Sequence, residues 1–127
     1  MIYEKTSPRP HAEVELRLQE AARRHQFGIL HTLDLKGTLH EKGIDIEDEV
    51  RVFDVCNPKA ASQALRENLA VATVLPCRIA VYTTKLGTSI ATVRPTDLLG
   101  ATGLKQADTL AQEVEREIVA IIDEAAS

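Results

Sequence analysis

The sequence predicts a single α+β domain: a curved, mainly antiparallel sheet packed on a long C-terminal helix, in a β-α-β-β-β-β-α order with short extra helices. Three observations carry this. Leu104, Ala107, Leu110, Ala111, Val114, Ile118, Ile121, Ile122 and Ala125 form one apolar stripe at helical spacing, with Glu113, Arg116, Glu117 and Glu124 on the other side. Strand-like runs separated by turn signals fill the middle of the chain, two of them joined as a hairpin at Lys85-Leu86-Gly87. The length, 127 residues, suits one hydrophobic core and one domain spanning 1–127.

Ile2 to Thr6 reads as a first strand, closed by Ser7-Pro8-Arg9-Pro10, where the proline pair holds the chain extended. His11 to Gln26 is helical in pattern. Val14, Leu18, Ala21, Ala22 and His25 share a stripe, Glu15, Arg17, Glu20 and Arg24 face away, and Leu16 sits off the stripe. His25 is expected as a cation at that helix's C-terminus, where the dipole favours positive charge. Ile29 to Lys36 alternates as a strand, placing Ile29, His31, Leu33 and Leu35 on one apolar face, with His31 expected as a hydrogen-bonded core residue. Thr38-Leu39-His40-Glu41 has the spacing of a capping box opening a short helix stopped at Gly43.

The acidic run Ile44 to Glu49 lacks the spaced ligands and central glycine of a calcium loop and reads as a solvated connector. Val50 to Cys56 is the next strand. Asn57 is a good N-cap and Pro58 a good first helical residue, so a helix follows through about Asn68, itself a candidate left-handed cap. Val71 to Thr84 reads as a strand region interrupted at Pro76, which removes a ladder donor. Thr88 to Arg94 completes the hairpin, and Pro95-Thr96-Asp97 opens a helical turn ending near Gly100 or Gly103.

Composition excludes several functions. With two Phe, two Tyr, no Trp and a net charge of −4, the chain has neither stacking platforms nor a phosphate-neutralising surface, so nucleic acid is not an expected partner. The longest apolar run, Leu69 to Leu75, is far short of the ~18 residues of a membrane span, and no secretory leader pattern opens the chain. The expected setting is a reducing cytoplasm with the two cysteines as free thiols. No Ser-His-Asp order, phosphate loop or paired general-acid carboxylates are present, and no catalytic residue is assigned.

Phe27-Gly28-Ile29-Leu30, Asp34-Leu35-Lys36 and Thr38-Leu39-His40-Glu41-Lys42 resemble the opening of the bacterial and archaeal domain-of-unknown-function family 302. Cys56-Asn57-Pro58 with Ala60 and Ala64-Leu65 resembles its central motif, and Leu75-Pro76-Cys77 and Thr96-Asp97-Leu98-Leu99-Gly100 its remainder, with the likeness strongest over 27–100. The resemblance implies a TATA-box-binding-protein-like fold, often homodimeric; it does not imply DNA binding, since that fold class hosts unrelated functions. His31 departs from the family pattern, so a site built on it would be particular to this chain.

The candidate site is the strand-to-helix junction Asp54-Val55-Cys56-Asn57-Pro58 with Cys77 on the neighbouring strand. A helix N-terminus can favour a thiolate, lowering a cysteine from ~8.5 to ~3.5–7.5, although Asp54 opposes this. Cys56, Asn57, Cys77 and Asp54 are the candidate ligand-binding residues, and Cys56, Cys77 and His31 the candidates for a metal. The favoured occupant is a small anionic metabolite at the helix start or a soft ion such as Cu(I). Thiol redox chemistry by Cys56 with Cys77 as resolving partner, and a purely structural role in self-association, stay open, and no cofactor is assigned.

Overall fold

The computed structural model describes residues 1–104 and 108–127. The order is β1 (Ile2–Ser7), α1 (His11–Arg24), β2 (Gly28–Asp34), α2 (Leu35–Glu41), β3 (Val50–Cys56), α3 (Pro58–Glu67), a 3₁₀ helix (Leu69–Val74), β4 (Cys77–Thr84), β5 (Gly87–Val93), α4 (Pro95–Thr102) and α5 (Asp108–Ala126). The strands form one antiparallel sheet in the order β1-β5-β4-β3-β2. The α+β architecture on a long C-terminal helix is as the sequence predicts; Ala107 of the predicted stripe falls outside the described residues.

One face of the sheet is covered by α1 and α5. Val14, Leu18, Ala21 and Ala22 of α1 meet Ile118, Ile121, Ile122 and Ala125 of α5 over Phe53, Val55, Ile79, Val81 and Ile90. Each of the three fully buried isoleucines of α5 contributes roughly 1.5–3 kcal/mol. A second, smaller cluster gathers Ala64 of α3, Val71 of the 3₁₀ helix and Leu99 of α4, with Leu110 and Ala111 of α5 against it. Helix α5 therefore serves both.

Several local expectations change. Residues Leu69–Val74 form a 3₁₀ helix rather than strand, opened by Asn68, whose Oδ1 accepts from the Ala70 amide at 2.8 Å. Asn68 is extended (φ −161°) instead of left-handed, because its side chain caps the next element. Helix α2 begins before the capping-box pattern: Asp34 caps it by accepting from the Gly37 amide at 3.0 Å. Glu15 is buried rather than solvent-facing, hydrogen-bonded to His11 Nδ1 at 2.7 Å and 3.5 Å from Arg51 Nε. Paired this way, the carboxylate escapes the cost of burying a lone charge.

Polar contacts tie α1 to the end of α5. Arg17 donates to the carbonyl oxygens of Glu124 at 3.3 Å and Ser127 at 2.8 Å. His25, the C-cap of α1, contacts the carboxylates of Glu117 and Glu124, and Arg24 also pairs with Glu124 at 2.9 Å. The hydrogen bond to Glu124 is the main reason the His25 pKa is raised, with burial opposing and Glu117 adding to the rise. The Glu124 pKa is lowered, chiefly by His25 and then Arg24.

A raised histidine pKa gives stability that is complete below the unfolded value of ~6.5 and lost as pH climbs through the folded value. A lowered carboxylate pKa gives stability present above the unfolded value and lost as pH falls through the folded one. The tie is thus strongest between the two. The urea midpoint is expected to fall from about pH 6 toward about pH 9, and His25→Gln to flatten that slope; an unchanged slope in the variant would locate the pH dependence elsewhere.

Candidate functional site

At the seam between the two hydrophobic clusters lies a cavity of about 70 Å³. Phe27, Val55 and Val114 wall it from the main core, and Val71, Leu99 and Leu110 from the smaller one. Alanines complete it where longer side chains would close it: Ala60, Ala61 and Ala64 of α3 and Ala111 of α5. Among the described residues, the polar side chains on its wall are Cys56, Asn57 and Cys77. Three of the four candidate ligand residues read from the sequence thus share one cavity.

The junction folds as its residues dictate. Asn57 Oδ1 accepts from the Ala60 amide at 3.1 Å, its carbonyl accepts from Ala61 at 2.9 Å, and Pro58 has no amide to offer. That leaves the Lys59 amide alone in the first turn, so the helix start is a poor anion cradle. Both cysteines are free, and neither is activated. Burial raises the Cys56 thiol; burial, aided by the charge of Cys56, pushes Cys77 up to about 11. The expected lowering at a helix N-terminus is reversed because the amides are already occupied and desolvation dominates.

Asp54 and His31 do not join this site. Asp54 alternates with the core-facing Val55 and so lies on the uncovered face of the sheet. There it stands 3.5 Å from Arg78 Nε and 3.7 Å from His31 Nδ1. His31 is exposed (64 % of its side chain), not a core residue. The cause is a register shift between Ile29 and His31 at Leu30: Ile29 pairs with Val55 and packs on the core, whereas His31 pairs with Asp54. His31 therefore stands beside Asp54 on the exposed face whereas Cys77 packs on the core, and no cluster of three or more His, Cys, Asp or Glu suited to a metal occurs among the described residues.

The sequence reading missed the cavity's outer part. A wider cleft of about 290 Å³ adjoins it, sharing Phe27, Asn57, Ala60, Leu110 and Val114 and adding Glu113, Arg116 and Glu117. Leu110, Glu113, Val114 and Glu117 follow the i, i+3, i+4, i+7 spacing of one helix face, a signal hidden by assigning the glutamates to solvent.

The family described as Domain of unknown function DUF302 matches residues 3–125. This chain belongs to the DUF302 family. Its fold is also similar to the crystal structure of an uncharacterized conserved DUF302 protein from Bacillus stearothermophilus, with a TM-score of 0.93 and 31% identity over 98% of this chain and 97% of that one. No curated protein matches it. No helix among the described residues of this DUF302 protein is long and apolar enough to cross a membrane.

The thiol environment of this DUF302 chain has a direct consequence. In the native protein, alkylation against pH should inflect above the free-cysteine value of ~8.5 for both thiols, with Cys77 the slower. An inflection below that value at Cys56 would restore the activated-thiol reading.

Proposed function

We propose that this protein is a binding domain that holds a small apolar group in the cavity at the seam of its two cores. The observation supporting this most directly is the lining: among the described residues, an aliphatic and aromatic wall interrupted by two protonated thiols and one committed asparagine. Such a wall neither solvates an anion nor supplies a general base, whereas pre-formed apolar cavities take apolar ligands. An engineered dry cavity of ~150 Å³ binds benzene or xenon. About half that volume suits xenon or a branched group of three or four carbons.

Xenon pressure followed by methyl NMR tests this. Saturable shifts are expected at Val55, Val71, Leu99 and Leu110, with none at Leu33 or Val52 on the opposite sheet face. Ala111→Leu should abolish them in a protein of native circular dichroism, and Ala61→Val offers a milder filling should that variant fold poorly. Absence of saturable shifts in the parent protein would overturn the reading.

A second reading, self-association, is favoured by the uncovered sheet face. Ala80, Val52 and Leu33 follow one another across β4, β3 and β2 as a partly exposed apolar row on the face away from the α1–α5 core. Sedimentation equilibrium is expected to give a dimer that Val52→Lys converts to monomer. A monomeric parent protein at tens of micromolar would sink this reading.

A further inference from the structure

The apolar cavity adjoins a charged cleft, and the two together point to a ligand class. We propose that they bind a small aliphatic zwitterion of the α-amino acid type, with its branched side chain in the cavity, its ammonium on Glu113 and its carboxylate on Arg116. This rests on the apolar-cavity reading above and adds the chemistry of the mouth.

The two compartments adjoin, with Phe27, Asn57, Ala60, Leu110 and Val114 belonging to both walls. Their characters differ sharply: the inner wall is hydrocarbon and thiol, while the outer one carries Glu113, Arg116 and Glu117. No ion pair engages Glu113 or Arg116 among the described residues, whereas Glu117 is already held by His25. The free handles at the mouth are therefore one carboxylate and one guanidinium. Opposite charges three residues apart on one helix match the ammonium and carboxylate that flank an α-carbon, and a guanidinium receives a carboxylate through two parallel donors.

Asn57 adds a further donor. Its Oδ1 is committed to the Ala60 amide, which fixes the side chain and leaves Nδ2 for the ligand carboxylate at the boundary of cavity and cleft. The inner volume sets the side chain. About 70 Å³ accepts an isopropyl or isobutyl group and is too small for an aromatic ring, judged against the ~150 Å³ cavity that holds benzene.

The test compares by calorimetry four probes that share one isobutyl group: leucine, 3-methylbutylamine without the carboxylate, 4-methylpentanoate without the ammonium, and neutral 3-methylbutanol. Leucine should bind at least tenfold more tightly than each of the others. Glu113→Gln should weaken leucine and the amine at least fivefold and leave 4-methylpentanoate unchanged; Arg116→Gln should do the converse. Both positions are exposed, so both variants are expected to fold, with circular dichroism as the check. Equal binding of leucine and 3-methylbutanol, or an effect of neither substitution, overturns the zwitterion assignment. If xenon shifts the cavity methyls while leucine fails to bind, the apolar reading survives and this proposal falls; if xenon fails as well, both fall.

Discussion

Helix α5 has to satisfy two cores at once, and the rest of the structure follows from that. Its C-terminal half presses Ile118, Ile121, Ile122 and Ala125 onto α1 and the sheet, while Leu110 and Ala111 near its start lie over the cluster built by α3, the 3₁₀ helix and α4. A straight helix cannot stay flush with a twisted sheet along its whole length. Where the fit lapses, short helices fill in, and the seam between the two packings is where a void survives. Small residues keep it open. At about 24 cal/mol per Å³, an empty cavity of about 70 Å³ costs about 1.7 kcal/mol, a sizeable fraction of a marginal stability. Longer side chains at Ala61 or Ala111 would recover much of that, so the alanines are easier to understand as room for an occupant than as packing.

The same seam explains why the cysteines are quiet. Cys56 sits beside a helix start, but Asn57 turns its own side chain and carbonyl onto the first amides and Pro58 removes another. Little of the dipole's positive end remains exposed, and the sulfur faces hydrocarbon. Desolvation then decides the sign of the shift at both thiols. What the sequence presents as a reactive junction is a well-capped corner whose sulfurs behave as small hydrophobes.

Much of the fold is legible because local chemistry and tertiary packing agree. The α5 stripe, the strand Val50–Cys56, the Asn57-Pro58 helix start and the Lys85-Leu86 hairpin each have a strong local signature that packing reinforces. The failures have physical causes too. Alternation placed Ile29 and His31 together, and one extra residue at Leu30 reversed the face of everything after it. Val71 to Val74 looks like strand by composition, yet Asn68 caps a 3₁₀ turn there and Val71 buries into the smaller core. Cys56, Asn57 and Cys77 line the same cavity, as a strand end and the strand beside it allow. Asp54 was misplaced by one step of a period-two pattern. Glu113 and Arg116 were invisible, because nothing local distinguishes a solvated helix face from the rim of a cleft.

Glu117 joins the two functions of α5. Its carboxylate is an acceptor for His25, part of the tie that holds α1 to α5, and also a wall of the cleft outside the cavity. Were it unpaired, Glu113 and Glu117 would be like charges one helical turn apart, and the mouth would prefer a bare cation. With His25 on it, part of that excess is cancelled, and the mouth is left with one carboxylate, Glu113, and one guanidinium, Arg116. On the zwitterion proposal, the contact that fastens the helices would also set the charge of the entrance, biasing it away from bare amines and toward ligands that carry both signs.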